Sequence, residues 1–362
     1  MINRRFFSEF DWITLLIVVA LSGIGIVFIY SATRDSANTF YLWRQVVWLA
    51  SGLILFVMVL MIDYHTLADY AHFFYGFALL FLLAVLVFGK EVHGNKSWFR
   101  IAGMSLQPSE FVKIAAILAL ASFFSRVTRE QLSLLETILA AAIAFIPTLL
   151  VLLQGDLGSA MTFAPIFAAL AVVCGVKKKL ILITLLAVLC LAPLGWISLK
   201  EYQRQRIRVT FNPELDPRGI GYQAQQSRIA IGSGGLLGKG LFRGTQSQLG
   251  FLPARHTDFI FSVLVEETGL MGALVVLGLY FWLLWRIFNY ARTARDRLGM
   301  LLIVGVASLI TFHIFINVGM DIGVMPIAGI PLPFLSFGGS SMMATFIGMG
   351  LIMNVQVRRF FY

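Results

Sequence analysis

About ten long apolar segments constrain the fold of this chain more than any other feature of its sequence. They lie near residues 12–31, 45–62, 71–88, 108–125, 137–153, 159–175, 180–199, 259–285, 299–320 and 340–357. Each is close to the roughly 17–25 residues with which an α-helix crosses a bilayer. Backbone groups in lipid must form hydrogen bonds within their own segment, so helices are the default structure there. The sequence therefore predicts an all-α polytopic membrane protein with about ten transmembrane helices.

The distribution of basic residues predicts the orientation of these helices. If both termini lie on one side, that side carries Arg4, Arg5, Arg126, Arg129, Lys177, Lys178, Lys179, Arg286, Arg292, Arg295, Arg297, Arg358 and Arg359. The short loops on the opposite side carry only Arg34, Arg44, Lys90, Lys96 and Arg100. Because short cytoplasmic loops are enriched in Lys and Arg, both termini are expected in the cytoplasm. The first apolar run is then a retained signal anchor, since no small-residue cleavage site follows it.

The orientation places three loops outside: residues 89–107, 200–257 and 321–339. We interpret the whole chain, residues 1–362, as one membrane domain in which the 200–257 loop is the only large extramembrane part. That loop contains the glycine-rich run GSGGLLGKG, residues 232–240, which lacks the GKS/T ending of a Walker loop. Residues around 222–231 are compatible with a short amphipathic helix lying on the bilayer.

The external loop is strongly basic for its position. It holds Lys and Arg residues at nine positions against Glu201, Glu214 and Asp216. Long external loops tolerate such charge, because the orientation rule acts mainly on short loops. The alternative is a surface that binds an anion such as a lipid phosphate. Composition alone leaves both interpretations open.

Four polar clusters are predicted to meet at the external face. They are QPSEFVK (residues 107–113), QGDLG (154–158), FLPARHTD (251–258) and GIPLPFLSFGGSS (329–341). The last is too rich in proline and glycine for a regular helix, and irregular backbone at membrane depth lines a cavity or is buried in protein. Charge counting assigned the sides without using these clusters, so their agreement favours one shared site. Asp258 is the first candidate for chemistry, because an ionisable group at a membrane boundary costs free energy.

Other charged residues admit both a structural and a functional interpretation. Glu110 and Lys113 are three residues apart, so they share a helix face and are expected to pair. Asp156 lies between two glycines, where aspartate is a common turn residue. The two cysteines, Cys174 and Cys190, lie in apolar runs and are expected to be small buried hydrophobes. The five histidines and two cysteines show no metal-ligand spacing.

Across nearly its whole length, the chain resembles the SEDS family, which includes RodA, FtsW and SpoVE. The stretch from NPELD at residue 212 to VEETG at residue 269 is similar to the signature loop of that family. QPSEFVK, QGDLG and residues 317–341 match its other motifs in the same order and spacing. GTQSQ (residues 244–248) and the short termini are most similar to the RodA branch. Two departures adjoin the proposed site: Ala254 replaces a frequent Glu, and Thr268 replaces the Leu of EELG.

The resemblance implies a peptidoglycan glycosyltransferase that polymerises lipid II, a disaccharide-pentapeptide on undecaprenyl pyrophosphate, at the outer face of the cytoplasmic membrane. The essential aspartate of the family falls on Asp258, which would act as general base on a sugar hydroxyl. The implied protein partner is a class B penicillin-binding protein, a single-span transpeptidase. The chain is also expected to contact membrane lipids, and no nucleic acid is implied. A divalent cation, Mg²⁺ or Mn²⁺, and loop cations would stabilise the departing pyrophosphate. No organic cofactor is implied.

The predicted substrate-binding residues come from the four clusters, the basic loop and the 89–107 loop. They are Trp98, Glu110, Lys113, Asp156, Arg206, Arg228, Lys239, Arg255, His256, Ser336 and Ser340.

Two other classes of function remain open from the sequence. A lipid II flippase would need a polar path through the membrane, and Glu110, Lys113, Glu266 and His313 would supply one. A non-enzymatic scaffold of the elongation machinery would leave the clustered external residues unexplained. A flippase tolerates the loss of a base at the outer rim, whereas a polymerase does not.

Overall fold

The computed structural model describes residues 9–34, 39–92, 95–101, 104–127, 132–176 and 201–359. Within these ranges, eight helices are long and apolar enough to cross a membrane. They are α1 (Trp12–Thr33), α2 (Phe40–Met61), α4 (Ala71–Phe88), α5 (Pro108–Ser125), α6 (Leu134–Leu153), α12 (Ile260–Arg292), α13 (Arg297–Asp321) and α14 (Gly339–Arg358). These helices confirm the predicted all-α polytopic fold. The predicted segment 180–199 lies outside the described residues.

The remaining elements are short. They are α3 (Tyr64–Asp69), β1 (Lys90–Val92), β2 (Asn95–Ile101), β3 (Met104–Leu106), α7 (Leu157–Met161), α8 (Phe163–Val173), α9 (Glu201–Phe211), a 3₁₀ turn (Pro213–Leu215), α10 (Ile220–Gly234) and α11 (Thr245–Gln248). Helices α7 and α8 meet at Thr162 and together form the predicted sixth apolar segment. The antiparallel sheet β1-β2-β3 was not predicted from the sequence.

The least hydrophobic spans lie at the centre of the bundle. In α5 and α14, 78% of the most apolar window is buried within the protein, against 22% in α2, α4 and α6. A helix surrounded by other helices can carry polar groups that are unfavourable in lipid, because the neighbouring helices supply hydrogen-bond partners. Helix α5 therefore accommodates Glu110 and Lys113 in its first two turns, with Pro108 at its first position.

One end of the bundle is closed by ion pairs between distant parts of the chain. Asp11 caps α1 and bonds to Arg286 and Tyr290 of α12. Near the same end, Arg358 of α14 pairs with Asp63 at 3.2 Å. The four polar clusters lie at the opposite end.

At that opposite end, the predicted external loop is mostly helical. Helix α10 contains the predicted amphipathic stretch, and it packs against α12 through buried Ala224, Ser227 and Ala230. Between α13 and α14 the backbone is irregular, as predicted, with positive φ at Gly329 and Phe334. This irregular segment, residues 322–338, approaches α1 so closely that a Cβ on Gly25 would lie 2.6 Å from the Leu335 carbonyl oxygen.

Candidate active site

Asp258 sits in a tight turn immediately before α12. The backbone N–H groups of Thr257, Asp258 and Phe259 all donate to the Ala254 carbonyl, at 3.1, 3.1 and 3.3 Å. Asn317 of α13 donates its side-chain amide to the carbonyl of Asp258 at 2.9 Å and to that of Ile330 at 2.8 Å. The turn, α13 and the irregular segment therefore fix the backbone of Asp258 together.

The environment of Asp258 changes its acidity. Burial raises the pKa of this carboxyl from 3.8 to about 6, and the negative charge of Asp156 acts in the same direction. The Arg206 guanidinium and a hydrogen bond from Thr257 oppose the increase. A carboxylate with this pKa is mostly ionised at neutral pH and is a stronger base than an exposed aspartate. Asp258 is therefore suited to accept a proton.

Arg206 of α9 is the basic residue placed beside this carboxylate. A Cβ on Gly329 would lie 3.7 Å from the Asp258 Oδ2 atom and 4.0 Å from the Arg206 Nη1 atom. Nη1 also donates to the carbonyl of Ile327 at 3.3 Å. The Nε atom of Arg206 is buried and has no hydrogen-bond partner among the described residues. The guanidinium therefore keeps a donor that an anionic ligand would satisfy.

Asp156 connects three of the four clusters. It caps α7 by accepting from the Ser159 N–H at 3.0 Å, and its second oxygen accepts from Gln107 Nε2 at 2.8 Å. The Gln107 N–H in turn donates to Ser340 Oγ at 2.8 Å. Glycine is required at position 158, because a Cβ there would lie 2.0 Å from the Ala328 carbonyl oxygen. Asp156 thus has the structural role of a helix cap, and its charge also acts on Asp258.

The predicted pairing of Glu110 with Lys113 is confirmed. The Lys113 ammonium lies 2.7 Å from the Glu110 carboxylate, and both side chains are almost completely buried. The ammonium also lies 3.3 Å from His313 Nε2. Because a lysine ammonium only donates, this ring nitrogen is the acceptor, and the other bonds to the Pro331 carbonyl. The pair is therefore tied to the irregular segment, and its contact with substrate stays a prediction.

Three other predicted cations of the external segment, residues 200–257, bond to that segment, to α12 or to the irregular segment. Arg228 donates to the carbonyls of Gly323 and Thr210, at 3.0 and 3.3 Å. Lys239 pairs with Glu266 at 2.8 Å, and Arg255 donates to the Ser247 carbonyl. The buried Nε of Arg228, like that of Arg206, has no hydrogen-bond partner among the described residues. What distinguishes Arg206 is its position, because its charge acts on Asp258. No contact tests their predicted role in substrate binding.

His256 and Ser336 shape the rim beside Asp258. The centroid of the His256 ring lies 4.7 Å from that of Tyr41 and 5.6 Å from that of Phe337. The backbone carbonyl of His256 accepts a hydrogen bond from the Phe337 N–H. Burial lowers the pKa of His256 to about 4, helped by the charge of Arg255, so the ring is neutral. Ser336 Oγ accepts from the Leu332 N–H at 2.8 Å and so folds the irregular segment.

Trp98 lies on β2 opposite Lys90 of β1. Its side chain is partly exposed at the same end of the bundle. Its substrate contact stays a prediction.

Two residues of α13 that were not among the predicted site residues, Asn317 and Asp321, also build the site. Asp321 accepts from the Ser262 N–H and hydroxyl at 3.0 and 2.9 Å, and Ser227 donates to its carbonyl at 2.8 Å. These contacts join α13, α12 and α10 directly behind Asp258. Asn317 and Asp321 are one turn apart at the end of an apolar span, and that placement of polar residues was the available signal.

Within the described ranges, no group of three or more His, Cys, Asp or Glu side chains is arranged to hold a metal ion. Mg²⁺ commonly binds through substrate phosphates and one or two carboxylates. The carboxylates of Asp258 and Asp156 meet that smaller requirement only together with a phosphate-bearing substrate. The divalent cation stays a prediction.

Comparison with known proteins gives a consistent result over the whole chain. The family described as "cell cycle protein", FTSW_RODA_SPOVE, matches residues 11–360. The peptidoglycan glycosyltransferase MrdB of Escherichia coli (strain K12) is 38% identical over 361 residues, covering 99% of this chain and 97% of that protein. The peptidoglycan glycosyltransferase RodA of Treponema pallidum (strain Nichols) is 35% identical and covers 97% of this chain and 98% of that protein.

Solved structures show the same similarity. The rod shape determining protein RodA of Thermus thermophilus superimposes with a TM-score of 0.73 at 30% identity, over 97% of this chain and 98% of that one. A chain from a peptidoglycan synthase complex, solved to show how polymerization and crosslinking are coordinated, gives a TM-score of 0.83 at 33% identity over the same shares.

Proposed function

The chain belongs to the FtsW, RodA and SpoVE family of cell cycle proteins, and from this membership we propose that it is a peptidoglycan glycosyltransferase. It polymerises lipid II into glycan strands. The observation that carries the catalytic assignment is the carboxylate of Asp258, held on a fixed backbone beside Arg206 with a pKa raised to about 6.

Asp258 acts as the general base of the transfer. A sugar hydroxyl of the acceptor attacks the anomeric carbon of the donor, and Asp258 takes the hydroxyl proton as the new glycosidic bond forms. The bond between that carbon and the pyrophosphate oxygen breaks, and the pyrophosphate leaves with the bonding electrons. This leaving group needs no protonation, so one carboxylate suffices, in contrast to the pair used in glycoside hydrolysis.

Arg206 stabilises the departing pyrophosphate. Its guanidinium lies close enough to Asp258 to influence the pKa of that carboxyl, and its buried Nε is without a partner in the described part of the chain. A donor aimed at developing negative charge lowers the barrier most when its position is fixed before the reaction. A Mg²⁺ or Mn²⁺ ion bound to the pyrophosphate, with Asp156 or Asp258 as a protein ligand, would supply further positive charge.

The reaction takes place at the outer face of the membrane, with both termini in the cytoplasm. This orientation is supported by the described basic residues at the end of the bundle opposite Asp258. They are Arg126, Arg286, Arg292, Arg295, Arg297, Arg358 and Arg359. The similarity to a chain of a peptidoglycan synthase complex supports a crosslinking partner, and the class B penicillin-binding protein is the one we propose.

The test is a reconstitution with lipid II. Purified protein, with and without the partner transpeptidase, is incubated with lipid II, and glycan polymer is measured. We expect polymer whose formation does not require transpeptidation. In parallel, vesicles carrying fluorescent lipid II report transport. Movement of the lipid across the bilayer without any polymer would support a flippase and contradict the proposal, and the absence of both would favour a scaffold.

A further inference from the structure

The glycine-rich run of the external segment, residues 232–240, closes a break in the membrane helix α12. Gly269 interrupts that helix with a φ of 70° and a ψ of −166°. The N–H groups of Leu270 and Met271 therefore do not bond to the carbonyls one turn before them, as they would in a regular helix. They donate instead to the carbonyls of Gly235 and Leu236, at 2.9 and 3.2 Å.

The carbonyls on the other side of the break are satisfied in the same way. The Lys239 backbone N–H donates to the Glu266 carbonyl at 3.1 Å, and the Gly240 N–H donates to the Glu267 carbonyl at 3.0 Å. A Cβ on Gly238 would lie 2.1 Å from the Glu267 carbonyl oxygen, so only glycine fits this approach. Unpaired backbone groups are costly at membrane depth, and here a second segment pairs them. The run is thus inserted beside a transmembrane helix and is not a free surface loop.

The turn of this run presents two leucines outward. Leu236 is 65% exposed and Leu237 is 79% exposed, and we call these two residues the leucine tip. The adjoining outward side chains of α12 are also exposed: Met271, Leu274 and Val275. The bond from the Met271 N–H to Leu236 places the tip directly against this face. Because α12 spans the membrane, the tip continues a surface that faces acyl chains.

The surroundings of the tip have the composition of a membrane interface. Phe242 packs edge-to-face on Tyr30 of α1, with ring centroids 5.8 Å apart, and the Arg34 guanidinium lies 5.9 Å from the Phe242 ring centroid. Arg243 is exposed beside them. Aromatic and basic side chains concentrate where acyl chains meet headgroups. This belt therefore places the tip just inside the apolar region.

We propose that the leucine tip inserts into the acyl-chain region of the outer leaflet and anchors the external segment to the membrane. The anchor continues into α10, whose Arg228 bonds to the carbonyls of Thr210 and Gly323. Thr210 lies in α9, the helix that carries Arg206. The tip therefore sets the height of α9 above the bilayer. At that height Arg206 lies at the level of the pyrophosphate of a lipid-linked substrate.

Quenching by brominated lipid tests the anchor directly. The full chain, with Cys174 and Cys190 changed to alanine, receives a single cysteine by Leu237→Cys or, independently, Leu236→Cys. An environment-sensitive fluorophore is attached, and the protein is reconstituted in phosphatidylcholine vesicles with or without acyl-brominated lipid. Leu274→Cys on α12 is the positive control, and Glu214→Cys, at an exposed polar position of the same segment, is the negative control.

We expect the label at either tip position to be quenched about as strongly as the label at position 274, and several-fold more than that at 214. Quenching at both tip positions equal to that at 214 would overturn the proposal. Quenching that vanishes when the partner transpeptidase is added would also overturn it, because the tip would then be a protein contact. The readout does not depend on glycan synthesis, so its failure would leave the proposed catalytic function standing.

Discussion

At the residue scale, the site contains one carboxylate suited to accept a proton and others whose oxygens already accept several hydrogen bonds. Asp156 and Glu266 each accept several hydrogen bonds, from Gln107 and Ser159 or from Lys239, Gln246 and Ser247. Asp258 instead has a backbone held by Asn317 and a side chain whose pKa is raised to about 6 by burial. A raised pKa favours proton uptake, which is the property a general base requires.

Arg206→Gln should change the pH dependence of polymerisation. In the wild type, activity should rise through about pH 6 as Asp258 loses its proton, and then level off. The charge of Arg206 lowers the pKa of this carboxyl, so removing it should move the rising limb to higher pH. The measurement is the rate of glycan synthesis between about pH 5 and 8. Arg208→Gln, at an exposed position of the same helix, is the matched control and should keep the wild-type limb. The assignment is wrong if Arg206→Gln keeps it too.

The Glu110–Lys113 pair gives a second prediction. Removing one partner leaves a buried charge uncompensated, which costs about 3–5 kcal/mol. Glu110→Gln and Lys113→Met should therefore each lower the melting temperature, and the double variant should lower it less than the worse single change. A double variant that is stable but inactive would show that the pair also acts on substrate. Single variants as stable as the wild type would contradict the buried pairing.

The pairing of Glu110 with Lys113 could be predicted because it depends on spacing along one helix. The third member could not, because His313 is 200 residues away in the sequence. Local spacing is a property of the sequence, whereas contact between α5 and α13 depends on how the helices pack. The same reason explains why the sequence could not show which of the four cations Arg206, Arg228, Lys239 and Arg255 acts on Asp258.

At the scale of elements, hydropathy predicted the membrane helices but not the structure outside them. Helix α9 carries EYQRQRIRVTF, and the sheet strands have as few as three residues, so neither has an apolar signature. The glycine run predicted turns and close backbone approach. Its insertion into the break of α12 depends on a contact with Gly269 that no local pattern encodes.

Two glycines of the external segment should respond in opposite ways to alanine. Gly238 has a φ of 76°, and a Cβ there would lie 2.1 Å from the Glu267 carbonyl oxygen, so Gly238→Ala should cost at least about 1–3 kcal/mol. Gly232 lies in helix α10, where an added Cβ would meet nothing within 4 Å, so Gly232→Ala should be neutral or stabilise by up to about 1 kcal/mol. Thermal unfolding of the purified variants measures both. Equal melting temperatures of the Gly238→Ala and Gly232→Ala variants would contradict the insertion of the run into the break of α12.

At the scale of the whole molecule, four clusters that are far apart in sequence meet at one end of a membrane bundle. Gln107 contacts both Asp156 and Ser340, and Asn317 joins Asp258 to Ile330. The sequence predicted this convergence because charge counting placed all four on one side. The opposite end carries the Asp63–Arg358 and Asp11–Arg286 pairs. The molecule thus has one end with the proposed chemistry and one end closed by ion pairs.

The rate of glycan synthesis by Asp258→Asn tests whether Asp258 is the general base of the transfer. The substitution keeps the shape and polarity of the side chain but removes the base, and a positioned base typically contributes about 10²–10⁴-fold. We expect polymerisation from lipid II to fall by that factor while partner binding persists and the melting temperature does not fall, because burial already disfavours the ionised carboxylate. Asp69→Asn, at an exposed position near the opposite end, should retain wild-type activity. Glycan synthesis at the wild-type rate by a folded Asp258→Asn protein would show that Asp258 is not the general base.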